Sequence, residues 1–133
     1  MPLEPGITAQ LSHTVQENDT ARFSGGDTLP PVFSTPLVIR LLERTSHQAI
    51  LPYLDAGQGS VGVVVNIRHL AATPVGFTVN TRAEVLSVDG RRVHFKVEAW
   101  DDLEKIAEGE HERFIIDLDR FVQKVNQKAA SLK

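Results

Sequence analysis

Apolar residues recur along this chain with two different periods, and each change of period marks a predicted element. Ile7, Ala9, Leu11 and Val15 alternate with polar residues, with His13 in the same register, and a similar alternation returns in three later segments. That period is typical of half-buried strands. The predicted strands with this pattern are 7–15, 61–68, 77–85 and 92–99. A fifth strand is expected at 106–116, after a turn at Asp101-Asp102.

A broad apolar stripe at helical spacing follows Thr35 and predicts the main helix. A threonine hydroxyl caps free backbone N–H groups, and the fixed φ of Pro36 suits the first helical turn. We expect about five turns, frayed or kinked near Pro52 and ended by Gly57. A short amphipathic helix is predicted after Leu118, whereas the polar segment 17–31 is predicted to be a loop.

The dipeptide Asp89-Gly90 is the strongest turn signal, because a type I′ hairpin needs residues that tolerate positive φ. The strands on either side of it are therefore predicted to be antiparallel neighbours. The element order is one strand, one long helix and then four strands in antiparallel succession. This order predicts an α+β fold in which the helix packs against one face of the sheet.

Length and charge limit the classes of protein to consider. A chain of 133 residues is enough for one hydrophobic core, so we expect a single domain over 1–133. Hydrophobic residues make up 41% and charged residues 23%, which excludes disordered and fibrous classes. The net charge of −3, without a basic run, argues against a nucleic-acid partner.

Several kinds of site are absent from the sequence. There is no cysteine, which excludes disulfides and thiolate nucleophiles, and no ligand cluster has metal-like spacing. No apolar window approaches the roughly 20 residues of a membrane span, and the N-terminus lacks a basic leader. We therefore expect a cytoplasmic protein that needs neither a metal nor a membrane.

Glu43 and His69 are the polar residues whose surroundings suggest chemistry. Glu43 follows Leu41 and Leu42 on the main helix, where a buried carboxylate would lose hydration and become a better proton acceptor. The alternative is a solvated carboxylate paired with Arg40 or Arg44. His69 continues the alternation of the strand 61–68, so its imidazole is predicted to face the helix. There it acts either as a general acid and base or as a hydrogen-bonded core residue.

Five motifs resemble the fluoroacetyl-CoA thioesterase family of hot-dog enzymes, and the resemblance covers roughly residues 31–127. The motifs are Val32 to Glu43, Tyr53 to Gly62, Ala71-Ala72-Thr73-Pro74, Gly90-Arg91-Arg92 and His111-Glu112-Arg113. The resemblance implies a hot-dog fold, in which a curved antiparallel sheet wraps one long central helix. It also implies a thioester hydrolase that converts a short-chain acyl-CoA to free acid and coenzyme A.

The resemblance implies a catalytic set of Thr35, Glu43 and His69. In the same way it implies Gly62 and Arg113 as substrate contacts, and no cofactor besides the coenzyme A thioester itself. Gly62 and Arg113 each have a structural interpretation as well. Gly62, like Gly59, would serve a turn or bulge, and Arg113 would lie on the surface. The sequence leaves open whether Glu43 or Thr35 attacks the carbonyl or Glu43 activates water.

One geometric consideration bears on quaternary structure. At ~1.5 Å per residue, the eight positions from Thr35 to Glu43 span on the order of 12 Å of a straight helix. Either Thr35 lies in the approach to the helix, folded over the site, or the site draws on two subunits. The hot-dog resemblance implies sites at a dimer interface, so we expect a homodimer or a dimer of dimers.

The segment ahead of the main helix departs from the family pattern. Members that select fluoroacetyl groups are expected to use aromatic lid residues, but the segment 24–30 has none. We therefore expect a short-chain thioesterase without that selectivity. Two alternatives are a hot-dog hydratase or dehydratase, which acts on carbons beyond the carbonyl, and a non-catalytic acyl-CoA binding module.

Overall fold

The computed structural model describes residues 2–132 and contains the predicted sheet and main helix. The strands are β1 (Thr8–Thr14), β2 (Gln58–His69), β3 (Thr78–Asp89), β4 (Arg92–Trp100) and β5 (Lys105–Asp117). The helices are α1 (Ala21–Gly25), α2 (Thr35–Ile50) and α3 (Leu118–Ala130). A 3-10 turn, Leu51–Tyr53, follows α2 directly, where Pro52 ends regular α-helix geometry.

The five strands form one antiparallel sheet in the order β1-β3-β4-β5-β2. Consecutive pairing holds from β3 to β5, but β2 pairs with β5 rather than with β3, its successor along the chain. The prediction of four strands in simple succession is therefore wrong at β2. This strand lies at the edge of the sheet, which leaves the hydrogen-bonding groups on its outer side unpaired.

α2 packs on one face of the sheet and closes the core. Its fully buried residues meet the inward side chains of the three central strands. The largest of these buried side chains are Phe33, Phe95, Leu42, Ile50 and Ile106. Burial of this apolar face fixes the position of α2, and with it the polar residues along the helix margin.

The hairpin between β3 and β4 is present, but its turn is displaced by one residue. Asp89 pairs with Arg92, so the two-residue loop is Gly90-Arg91. Within the described chain only glycines have positive φ, and Gly90 has φ 61°. Positive φ at the first loop position alone is the requirement of a type II′ turn, so the type I′ prediction is wrong.

A bulge in β2 breaks the predicted alternation of that strand. Gly62 pairs with Arg113 and Val64 with Glu112, so Val63 is an extra residue without a partner. Directly paired residues share a face of the sheet. Gly62 therefore shares a face with His69, and the prediction that Val61, Val63 and His69 lie on one face is wrong.

The polar segment 17–31 is more ordered than predicted. It contains a 3-10 turn, Glu17–Asp19, and the short helix α1, which Thr20 caps by accepting a bond from the Phe23 N–H. The C-terminal helix α3 forms as predicted, but all of its residues are exposed. In the described part of the chain, no helix has the length and apolar character needed to span a membrane.

Candidate functional site

Thr35 and His69 are in direct contact, although 34 positions separate them in the sequence. The Thr35 hydroxyl lies 2.7 Å from Nδ1 of His69. Ser34, in an extended conformation, is the N-cap residue of α2, and Thr35 is the first residue of the helix. The predicted capping role of Thr35 is therefore wrong, because its hydroxyl meets an imidazole instead of backbone N–H groups.

His69 ends β2 on the same side of the sheet as α2, as predicted. Burial lowers the pKa of this histidine, more than the Ala71 backbone raises it, and so favours the neutral ring. Its Nε2 atom is buried and has no hydrogen-bond partner within residues 2–132. A buried polar atom without a partner costs free energy, so this nitrogen is suited to a partner from outside the chain.

Glu43 extends from the third turn of α2 toward β2 and β5. Its Oε2 atom lies 3.7 Å from Nη1 of Arg113, and the carboxylate side chain keeps 36% exposure. The predicted loss of hydration is thus partial in the single chain. The alternative partners Arg40 and Arg44 form no ion pair with it among the described residues, so the pairing with Arg113 replaces that interpretation.

Gly62 lies on β2 directly beside the pair formed by Glu43 and Arg113. A Cβ atom at this position would lie 2.8 Å from Oε2 of Glu43 and 3.5 Å from Nη1 of Arg113. Any side chain would therefore displace the Glu43 carboxylate and press on Cε1 of His111 at 3.2 Å, whereas the distance to Arg113 is an ordinary contact. Gly59, by contrast, faces Leu118 of α3, with Cβ distances from 3.0 Å, so it lies on the other face of the sheet.

Arg113 is buried, which corrects the interpretation of a surface arginine, and neutral groups hold it. Its Nε donates to the Ser60 hydroxyl at 2.7 Å and its Nη2 to the Ser60 carbonyl at 3.0 Å. Nη1 lies 3.2 Å from Nε2 of His111, whose Nδ1 lies 2.7 Å from the Val64 carbonyl. Burial lowers the pKa of Arg113, and Glu43 opposes this shift. Ser60 and His111 use three of the five guanidinium N–H groups, and the remaining two lie on Nη1, which is also 3.7 Å from Glu43, and on Nη2.

His47 completes this network on the helix side. Its Nδ1 lies 2.7 Å from the Ser60 hydroxyl. That hydroxyl has one proton and two lone pairs, so it can accept from Arg113 and also donate to an unprotonated Nδ1 of His47. Burial, followed by the charge of Arg113, lowers the pKa of His47 and favours this neutral state. The same two causes lower the pKa of His111, although the Val64 backbone and nearby carboxylates act against them.

Sequence reasoning gave no role to His47, His111 and Ser60. Two signals were available. His111 is two residues from Arg113 on β5 and so shares its face, whereas His47 lies one helical turn after Glu43. Ser60 carried no such signal, because the bulge that turns it toward Arg113 is not visible in the alternation of β2.

The predicted site residues form two separate groups within the chain. Thr35 and His69 line one cavity of about 370 Å³, together with Pro30 and Val32. Glu43 and Arg113 line another of about 370 Å³, together with His47 and Ser60. The two cavities share no residue. α2 is continuous from Thr35 to Ile50, so Thr35 does not fold back over Glu43.

A five-stranded antiparallel sheet around one long helix, with a hydroxyl–imidazole pair and a carboxylate on its margin, defines a hot-dog thioesterase. In sequence, residues 15–119 match the family described as fluoroacetyl-CoA-specific thioesterase. A fluoroacetyl-CoA thioesterase from Streptantibioticus cattleyicolor is 44% identical over 99 residues, which cover 74% of this chain and 71% of the relative.

Solved structures agree with this match. A structure of the fluoroacetyl-CoA thioesterase FlK has a TM-score of 0.92 and 36% identity, and covers 96% of this chain and 98% of that one. A thioesterase superfamily member from Thermus thermophilus has a TM-score of 0.88 and 28% identity, with coverage of 98% and 95%. The chain belongs to the fluoroacetyl-CoA-specific thioesterase family, and the predicted hot-dog fold is confirmed.

Proposed function

We propose that this chain hydrolyses a short-chain acyl-CoA to free acid and coenzyme A, with Thr35, Glu43 and His69 as the reacting groups. The observation that carries the proposal is the 2.7 Å contact between the Thr35 hydroxyl and a His69 ring whose Nε2 is buried without a partner. Family membership supports thioester hydrolysis as the reaction class. A structure of a mutant FlK with fluoroacetate and CoA shows that a relative accommodates this kind of ligand.

The proposed chemistry uses the Glu43 carboxylate on one side of the carbonyl and the Thr35–His69 pair on the other. Glu43 accepts a proton from water as the water attacks the thioester carbonyl, or it attacks the carbonyl itself and water then releases the acid. In a third route Thr35 attacks, after its proton passes to His69. The free N–H groups of Arg113 stabilise the negative oxygen, and Gly62 leaves room for it. In the water route the proton taken up by Glu43 passes to the departing sulfur, with His69 as relay, as the C–S bond breaks. In the direct-attack route the sulfur takes its proton from the water that later releases the acid, and in the Thr35 route His69 returns to the sulfur the proton it took from the hydroxyl.

The proposal includes a homodimer, because the two groups are separate in one chain. Edge strand β2 exposes Val63, Val64 and Val65, which are 46%, 38% and 46% exposed. Two copies could pair through their β2 strands in antiparallel fashion, about a two-fold axis near Val64. The part of β2 that contains Gly62 in one copy would then lie beside the part that contains His69 in the other. Glu43 of one copy then approaches the unpartnered Nε2 of the second. A dimer of dimers would repeat this unit.

The main experiment measures thiol release from a panel of short, branched and aromatic acyl-CoA esters. Glu43→Gln and His69→Asn are each expected to lower kcat by about 10²- to 10⁴-fold, the usual contribution of general acid–base groups. Glu104→Gln, an exposed carboxylate on a turn, is the matched control. Wild-type rates in both site variants would show that the assignment of Glu43 and His69 is wrong.

The same panel separates the two other functions. A hydratase or dehydratase would change the acyl carbons without releasing thiol. A binding module would bind acyl-CoA, as calorimetry would show, without turnover in any variant. Either outcome would contradict the hydrolase proposal.

We propose that the enzyme prefers short acyl groups and does not select fluoroacetyl over acetyl. Aliphatic side chains surround the Thr35–His69 cavity, and the one aromatic residue that lines it, Phe33, is 2% exposed and belongs to the core. We expect kcat/KM values for acetyl-CoA and fluoroacetyl-CoA within about tenfold, since one small substituent in an apolar pocket changes binding little. A much larger ratio would overturn this part of the proposal.

Quaternary state and location have tests of their own. Val65→Lys places a charge at the β2 edge, and we expect light scattering to show a monomer with little activity. A wild-type protein that is monomeric and active would exclude the shared site. The proposal also keeps the cytoplasmic location predicted from the sequence, which cell fractionation can test.

A further inference from the structure

We propose that Arg40 and Arg44 of α2 bind the phosphate groups of the coenzyme A portion of the substrate. This inference rests on the proposed function, because it takes an acyl-CoA as the ligand. It adds a binding site for a polyphosphate group next to the proposed catalytic carboxylate.

The two arginines line the same cavity as Glu43 and Arg113. Both are exposed, and they lie one helical turn apart on α2. Like charges at this spacing repel each other and destabilise a helix. Within residues 2–132, neither side chain has a carboxylate oxygen within 4.0 Å, whereas most arginines of the sheet do.

The charge of the cavity is positive. Glu43 is its one carboxylate, and that group is engaged by Arg113. The two outer arginines form no ion pair within 4.0 Å in residues 2–132, although they also line a neighbouring cavity with Asp19, which pairs with His13. The net charge of the chain is −3. A positive cavity on an acidic protein attracts anions selectively, and it raises their rate of encounter at low ionic strength.

The chemistry of coenzyme A fits this arrangement. The molecule carries a diphosphate and a further phosphate on its ribose, all remote from the sulfur. A guanidinium group binds phosphate through two parallel N–H donors, which a lysine cannot do. In the proposed pose the acyl group lies at Glu43 and the flexible pantetheine arm folds back over the exposed margin of α2, which brings the phosphates to Arg40 and Arg44. Arg40 and Arg44 lie on that exposed margin.

The experiment compares two thioesters with the same acyl group, one on coenzyme A and one on pantetheine, which lacks all phosphates. For acyl-CoA we expect KM to rise about threefold in Arg40→Gln or Arg44→Gln and about tenfold in the double variant, as for partly exposed ion pairs. The kcat values and the KM for acyl-pantetheine should not change. Added salt should raise the acyl-CoA KM of wild type more than that of the double variant.

Arg120→Gln with Lys124→Gln on α3 is the matched control, because it removes two exposed cations at the same i,i+4 spacing. An acyl-CoA KM that rises in the α3 variant instead would place the phosphates there and overturn the assignment. An equal rise for both thioesters in the α2 variants would also overturn it, because the arginines would then not act on phosphate.

Calorimetry with coenzyme A and with pantetheine separates this inference from the proposed function. If wild type releases no thiol from either ester, hydrolysis is excluded, and the phosphate site is still judged by coenzyme A binding. Equal coenzyme A affinity in wild type and in the double variant would end the inference even in an active enzyme.

Discussion

At the scale of single residues, Thr35 shows how a shift of one position changes the role of a side chain. The sequence Ser34-Thr35-Pro36 offers two hydroxyl residues for the start of α2, and Ser34 takes the N-cap position. Thr35 is then free to contact His69 at 2.7 Å. Its hydroxyl can therefore serve chemistry, because no side chain caps α2 and the first turn is formed by bonds from Leu37 and Val38 to the Ser34 carbonyl.

Replacement of Thr35 by valine separates these two roles. Thr35→Val keeps the shape of the side chain and removes the hydroxyl, so we expect activity to fall at least about tenfold. The free energy of unfolding should change by less than about 0.5 kcal/mol, as for surface positions without a cap. Urea unfolding and thiol release measure the two effects. A loss of about 1 kcal/mol or more would restore the capping role.

Ser60 is the residue through which the strand and helix sides of the Arg113 network meet. Ser60→Ala removes the acceptor for Nε of Arg113 and the partner of His47. We expect kcat/KM to fall about tenfold, because a buried guanidinium with an unpaired donor moves from its position. Ser60→Thr, which keeps the hydroxyl, should recover part of the loss. Ser87→Ala, on an exposed position of β3, is the control and should leave the rate unchanged.

The candidate site was predictable only in part. A carboxylate among helix leucines and a histidine at the end of an alternating strand are local signals, and resemblance added Thr35, Gly62 and Arg113. The contacts of Arg113 with Ser60 and His111 depend on the pairing of β2 with β5. That pairing joins segments about 50 residues apart, and no local pattern encodes it.

At the scale of elements, β5 approaches β2 so closely that one position must be glycine, a constraint that the alternation of apolar and polar residues does not reveal. Gly109 lies opposite Ile67 in the pairing of β2 with β5. A Cβ atom there would lie 2.1 Å from the Asn66 carbonyl oxygen and 2.8 Å from Cα of Ile67. The close approach of these two backbones therefore requires a residue without a side chain.

Gly109→Ala should be strongly destabilising, by about 3 kcal/mol or more, since backbone atoms of β2 must move. Gly76→Ala is the comparison: Gly76 has φ 93°, but nothing lies within 4 Å of an added Cβ. Conformational strain alone should cost that variant about 1–2 kcal/mol. Urea unfolding of both proteins measures the difference. Similar losses would mean that β2 and β5 can separate without cost.

The elements themselves were largely predictable, because strand and helix periods are local properties. The five strands and both longer helices lie close to their predicted bounds. The position of β2 beside β5 and the bulge at Val63 were not predictable, because each depends on which strand is the neighbour. The turn was predicted one residue too early, because Asp-Gly is a favoured pair in two-residue hairpin loops, whereas here Asp89 is the last paired residue of β3.

At the scale of the whole molecule, one buried histidine and two half-buried ones make stability depend on pH. Burial is the first cause that lowers the pKa of His47, His69 and His111 below 6.5. The unfolded chain takes up protons at these rings near pH 6.5, but the folded chain does so only at lower pH. Between these values the unfolded state binds more protons, so stability is complete above pH 6.5 and decreases as the pH falls.

We expect Tm to be nearly constant from about pH 8 to about pH 7 and to decrease toward about pH 5. Differential scanning fluorimetry measures this profile. His47→Gln should reduce the decrease, because a neutral amide does not titrate. A Tm that is constant or rises on acidification would contradict the neutral state of these rings in the folded protein.

The unpaired Val63 has a consequence for how this strand tolerates change in length. With one residue fewer between Gly62 and His69, their separation falls from seven positions to six and the ladder to β5 becomes regular. Because side chains alternate with period two, Ser60, Gly62, Ile67 and His69 would all keep the face that they share now. The strand can therefore lose its extra residue without losing its inward side chains, whereas loss of two residues would require a new irregularity or turn one end of β2 into solvent.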